Sequence, residues 1–291
     1  MNVLIVGAGK GSYTMRAVQI GQALGARVTS GPTAHDWRWA DVAILVKRCA
    51  PMYAGAARAA GVPVVWDALD FWQQPAQNGL DEAGAHSLLR EWLRTVAPSM
   101  VIGATSAMTA VCEATGVRAV TIPHHSWHDL TPTPPRHEMR VIAYQGAPQF
   151  LGAWARTLMD LCAARGWTFL INPSDLRVAD VLVSLRDGPW DGFMCRQWKS
   201  GVKAVNAVAA GRPLISQGAV GVIDCAAPWT HLTVETPAEL ERACDVWADP
   251  AHRVLAYEAA CALAPQFTLS CIRQQYTALL QTVLEGVPCV S

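Results

Sequence analysis

A surplus of either charge is what this chain lacks most plainly. Lys+Arg and Asp+Glu both number 23 in 291 residues, and charged residues make up 16%. Such a balance builds no overall basic field, which removes the usual ground for a general binder of nucleic acid or acidic membranes. Nine cysteines are present, yet none stand as C-x-x-C and the count is odd. A zinc ribbon or a disulfide framework is therefore not expected; reduced, mostly buried thiols in a cytoplasm are. No uncharged apolar run is long enough to span a bilayer. Met1–Val6 reaches Gly7 without the basic and apolar regions of a signal peptide. H-E-x-x-H, G-x-S-x-G and D-x-D are missing too, which takes away the motif support for zinc peptidases, serine hydrolases and enzymes with a metal-bound diphosphate.

What remains is rich in core. Apolar residues are 52% of the sequence, enough for two domains at about 150 residues each. Val3–Val6 is an unbroken apolar run ended by Gly7, as a parallel strand covered on both faces would be. Further strands are expected at 27–29, 41–46, 62–66, 100–102 and 119–122, with helical patterns over 13–24, 52–60, 80–96 and 105–115. This alternation predicts an α/β, doubly wound parallel sheet. The proline-rich stretch 131–139 then breaks the pattern, and alternation resumes at Arg140. The organisation expected is residues 1–136, residues 137–268 and a closing helix 269–291 whose apolar stripe includes Leu269, Ile272, Tyr276, Leu279 and Val283.

Two motifs tempt and fall short. Gly7-Ala-Gly9-Lys10-Gly11-Ser12 sits between a strand and a helix, where a phosphate-binding turn belongs. A dinucleotide fingerprint needs glycine in place of Ser12 and an acidic end to the second strand, which instead closes on Thr29-Ser30. His124, His125 and His128 cluster after a strand, but Pro123 opposes the helix that a zinc pair would need. They read as cleft imidazoles, and no metal is expected. Trp66, Trp72, Trp127, Trp190 and Trp198 lie near expected strand ends, where they would line a ligand cleft.

The informative stretch runs from Gln197 to Ser216. A helix here would open on Lys199 and Ser200, carry Lys203 one turn in and close at Gly211. Free N–H groups, the positive end of the helix dipole and two ammonium groups together favour a diphosphate. Lys203-x-x-Asn206-Ala-Val-Ala-Ala-Gly211-Arg-Pro213-Leu-Ile resembles the donor segment of GT-B fold glycosyltransferases, commonly K-x-x-E-A-x-A-x-G-x-P-V-I. The resemblance implies two Rossmann-like domains facing a cleft, with the last helix crossing back to the first. It further implies a nucleotide-diphosphate sugar, expected to be a UDP-sugar, with no cofactor. Arg186, Lys199, Ser200, Lys203 and Gly146 would then face the donor, and Asn206 would take the ribose position. Trp198 and Asn206 stand where many retaining members carry two glutamates. The Arg/Lys pair that often follows the first strand of the second domain is missing after Tyr144.

Electrostatic stabilisation by Arg186, Lys199 and Lys203 needs no metal. A base for the acceptor hydroxyl is expected on the other side of the cleft, outside the carboxyl ends of the strands. Asp70 ranks first, Asp67 second and His124 third. Lys10, Gly11, Ser12, Lys47, Arg48 and His125 are expected near the acceptor. With Arg16, the cations among them would make a basic rim suited to an anionic acceptor: a phosphorylated small molecule, an acceptor glycan such as a teichoic-type polymer, or a hydroxymethylated base in DNA. An NAD-dependent oxidoreductase resting on the Gly7–Ser12 turn, a sugar-nucleotide epimerase and a non-catalytic nucleotide binder are the rival readings.

Overall fold

The computed structural model describes residues 1–9, 11, 13–127 and 130–286. Lys10, Ser12 and His128 thus lie outside the described residues. Six strands form the first sheet: β1 (Val3–Val6), β2 (Arg27–Thr29), β3 (Val42–Val46), β4 (Val64–Asp67), β5 (Met100–Gly103) and β6 (Ala119–Thr121). All pair in parallel, in the order β2-β1-β3-β4-β5-β6. The second sheet has β7 (Val141–Tyr144), β8 (Thr168–Ile171), β9 (Val181–Ser184), β10 (Leu214–Ser216) and β11 (His231–Thr233). It too is parallel, ordered β11-β10-β9-β7-β8. Read from the β8 edge, it repeats the first five places of the other sheet. Every residue of β1 and β3 is buried, as their unbroken apolar runs require between two helical layers. The strand order reverses between β1 and β3 and between β7 and β9, and crevices for ligands open at such points.

The closing helix, Leu269–Leu284, returns to the first sheet. Its Ile272, Tyr276, Leu279 and Leu280 pack with Val3, Ile5, Ile20 and Ile102. The path between the sheets is held down over residues 133–137. Arg212 and Arg253, both buried, donate to the backbone carbonyls of Thr133 and of Arg136 and His137. The proline-rich break is therefore a strap fastened to the second domain.

Three of the five tryptophans expected to line a cleft are buried, and of these Trp72 still lines a cavity between the domains. Trp66, Trp72 and Trp198 are buried, and Trp198 stacks on His86 at 5.8 Å although its own segment follows β9. With Met194 and Cys195, Trp198 joins the apolar cluster of the first domain. Met194 and Cys195 lie on the helix Phe193–Gln197, with Trp198 at its C-cap; neither this helix nor Ala34–Trp39, which a Thr33/Asp36 capping box starts, is among the expected elements. Polar ties reinforce the junction: Asn78 Nδ2 donates to Pro189 O at 2.8 Å, and Thr105 Oγ1 to Gln197 O at 2.7 Å. Gly192 is required here, since a Cβ would stand 2.2 Å from Asn78 O.

Candidate active site

On the second-domain side the site is built around the helix Val202–Ala210. Its N-cap, Gly201, offers no side-chain cap, which leaves first-turn amides to the pocket. A Cβ at Gly201 would lie 1.8 Å from Gly221 O, so backbone meets backbone and the opening of the helix is fixed. Ser200, Lys199 and Lys203 line the pocket with Ser184, Arg186 and Gln217. Arg186 leaves the end of β9 with its N–H on Gln217 Oε1 at 2.7 Å and its guanidinium 5.0 Å from the Phe150 ring.

Lys203 Nζ lies 4.0 Å from the centroid of the Tyr144 ring, shielded from solvent and with no hydrogen-bond acceptor. Burial, then the charges of Arg186 and Lys199, hold its pKa well below the ordinary lysine value. Arg196 reaches the same pocket, but Asp191 and Glu235 both pair with it. Three basic side chains, Arg186, Lys199 and Lys203, thus line one pocket at a helix N-terminus, where Asp191 is taken up by Arg196, an arrangement made for an anion.

Two residues assigned to the donor are engaged within the chain. Gly146 gives its N–H to Asn172 Oδ1 and takes Asn172 Nδ2 on its carbonyl, at 2.7 and 2.9 Å. Asn206 is buried; its Oδ1 accepts the Trp127 N–H and its Nδ2 donates to Gln145 Oε1, both at 2.9 Å. Its amide thereby ties the loop that follows β6 to the loop after β7.

On the first-domain side Asp70 holds a left-handed backbone (φ 44°) past the end of β4, with Phe71 and Trp72 buried behind it. Its Oδ2 is 3.0 Å from Lys199 Nζ, across the domain boundary, and its Oδ1 is buried without a hydrogen bond. Burial would raise its pKa, but the ammonium groups of Lys199 and Lys47 prevail and bring it down to about 2. A cavity of about 290 Å³ opens there between the domains, lined by Asp70, Lys47, Arg48, Trp72, Phe150 and Lys199. Trp190 lines it as well, as expected of a tryptophan near a strand end.

Asp67, ranked second as a base, sits deeper. It is fully buried; its Oδ2 accepts the Tyr276 hydroxyl at 2.8 Å and pairs with Arg16 Nε at 3.2 Å. Arg16 is buried as well, so the basic rim does not include it. Its two terminal nitrogens donate to Pro123 O and Ile122 O at 2.9 and 2.7 Å, holding the loop that carries His124. Sequence reading missed this network because its members meet only in three dimensions.

His124 is buried with neither ring nitrogen hydrogen-bonded. Burial first, then Arg16, keep its pKa well below the usual imidazole range, so it is neutral at pH 7; Asp70 and Lys47 are close enough to act on it as charges. His125 Nε2 meets Gln19 Oε1 at 2.8 Å, and Gly11 is an exposed, left-handed turn before the first helix. Among the described residues no three metal-ligating side chains cluster, and no helix is long and apolar enough to cross a membrane.

No protein-family model matches the chain, and no curated protein matches its sequence. Solved structures do match its fold. Alr3699/HepE from Anabaena, in complex with UDP and glucose, superposes with a TM-score of 0.72 at 15% identity, covering 97% of this chain and 100% of that one. The same protein has also been solved with UDP-glucose. An α,α-trehalose-phosphate synthase (UDP-forming) from Burkholderia vietnamiensis gives a TM-score of 0.65 at 11% identity, with 98% of each chain covered. The pneumococcal O-GlcNAc transferase GtfA, bound to UDP and GlcNAc, gives 0.58 at 12% identity over 84% of this chain and 57% of that one. Two parallel sheets with flanking helices, shared with these proteins, are the GT-B fold.

Proposed function

We propose that the chain is a glycosyltransferase that moves a sugar from a UDP-sugar to an acceptor hydroxyl. The observation carrying this reading is the convergence of Arg186, Lys199 and Lys203 on the uncapped helix N-terminus at Gly201, within a GT-B fold. Neighbours in that fold crystallised with UDP, UDP-glucose or UDP and GlcNAc lend it support.

The donor diphosphate sits on the first-turn amides, held by Ser200 and the three cations. Asp70 accepts the proton of the acceptor hydroxyl as its oxygen bonds to the anomeric carbon. The bond from that carbon to the diphosphate breaks, and its electron pair leaves with UDP. Fixed cations in a partly dry pocket stabilise that developing charge, so a divalent ion is not needed. His124, neutral and unpartnered, supplies a hydrogen bond to the reacting sugars, and Asp67 positions it through Arg16. Lys47 and Arg48 line the acceptor cavity, which favours a small acceptor carrying a phosphate or carboxylate. The burial of Arg16 shortens the basic rim on which the DNA reading relied.

The test is UDP release from a panel of UDP-sugars, with anionic and neutral sugar acceptors, hydroxymethylated DNA and EDTA throughout. Acceptor-dependent UDP release in EDTA, strongest with an anionic small acceptor, is expected. Turnover of NAD instead would overturn the reading.

A further inference from the structure

Lys199 belongs to two sites at once. It lines the donor pocket with Arg186 and Lys203, and the acceptor cavity with Asp70, Lys47 and Arg48. Its Nζ rests on Asp70 Oδ2 at 3.0 Å, with Gln74 Oε1 at 3.4 Å and the Trp72 ring centroid at 5.8 Å. Asp70 cannot readily turn away, since its backbone is left-handed and the next two side chains are buried. Lysine, by contrast, has a flexible stem and a compact charge that can change partner.

We propose that the Lys199–Asp70 ion pair is a latch between the two substrates: it occupies the carboxylate while the donor pocket is empty, and a bound diphosphate takes Lys199 away and frees Asp70 for the acceptor hydroxyl. This rests on the glycosyltransferase reading. A diphosphate carries more negative charge than a carboxylate and presents several oxygens beside Arg186 and Lys203, so it wins the competition for one ammonium group. Once Lys199 has left, Asp70 keeps its burial and loses its nearest cation, and its proton affinity rises toward what a base needs. Oδ2, released by Lys199, is then the oxygen that meets the acceptor, while Oδ1 stays buried without a hydrogen bond. The donor then binds first, and the base is armed only in its presence.

The latch makes a prediction that a purely catalytic Asp70 does not. Binding UDP to the wild type must break an ion pair, so Asp70→Asn should bind UDP about tenfold more tightly while its kcat falls. Lys199→Ala should bind UDP more weakly, and in that background Asp70→Asn should change the affinity by less than about twofold, because there is no pair left to break. Calorimetric titration of UDP into the four proteins reads this cycle, with melting curves to establish folding. Should Asp70→Asn fail to fold, Asp70→Ser enters the same cycle.

Equal UDP affinity in the wild type and Asp70→Asn would overturn the latch, and so would a tenfold gain that persists without Lys199, which would mark a general charge effect. Absence of UDP binding to the wild type would overturn the parent reading, and the latch with it.

Discussion

β3 and β9 occupy the same place in two sheets of equivalent order, and so do β4 and β10. β3 runs out to Lys47 and Arg48, and β9 to Arg186. β4 leads to Asp67 and Asp70, whereas β10 leads to the neutral Gln217. The shared scaffold decides where ligands meet, outside the carboxyl ends at the points where strand order reverses. A few residues past each strand decide which ligand. The first domain keeps a carboxylate, Asp70, and a buried imidazole, His124, close to Lys47. The second gathers cations and free amides on one helix. Among the described residues Lys199 lines both the pocket at the helix N-terminus and the cavity at Asp70.

Removing the proton acceptor should break the comparison most severely. Asp70→Asn is expected to lower kcat with a UDP-sugar by about 10²–10⁴-fold, the range for a positioned base, without weakening UDP. Steady-state kinetics together with a binding titration separate the two effects.

Lys203→Met attacks the other side and should weaken UDP by about ten- to a hundredfold, as loss of a charged hydrogen bond does. A pH dependence sharpens this. Lys203 in the free protein loses its proton at a pH well below its ordinary 10.5. The diphosphate favours the charged form, so UDP affinity should fall as the pH rises through that depressed value. Titrations from acid to alkaline pH should show the fall in the wild type and a flatter profile in Lys203→Met.

Tyr276→Phe tests whether the closing helix matters to the first-domain site. It removes the 2.8 Å hydrogen bond to the buried Asp67 carboxylate, which costs about 1–3 kcal/mol, or a few degrees of melting temperature. Loosening of the Arg16-held loop should also cut kcat several-fold with UDP affinity unchanged. At the small end, Asp160→Ala breaks an exposed i,i+4 pair with Arg156 and should leave the melting point and kcat within error.

Much of the fold was legible because the strands are short apolar runs punctuated by Gly7, Lys47, Asp67 and Gly146. A buried parallel strand needs little more than that. The cationic half of the site was legible for a related reason, since a helix N-terminus and its lysines are local in sequence. The other half depends on distance. Arg16, Asp67 and Tyr276 meet once the last helix has crossed over, with Tyr276 standing 209 positions beyond Asp67. Trp198 and Asn206 stand where glutamates would bind ligand in the resembling family, and here they serve the junction between the domains. Trp198 fills the first domain's core, and the Asn206 amide holds the Trp127 backbone in the loop after β6. Pattern matching finds such positions but not the partners that claim them.

A glycosyltransferase of this kind must hold its nucleoside diphosphate in the second domain, through Arg186, Lys199 and Lys203. The most direct measurement is calorimetric titration of UDP, with NAD as the comparison ligand, into the wild type and Lys203→Met at neutral pH. The account predicts saturable one-site binding of UDP that weakens at least tenfold in the variant, with no heat from NAD. Binding of NAD without UDP, or UDP affinity indifferent to Lys203, would contradict it.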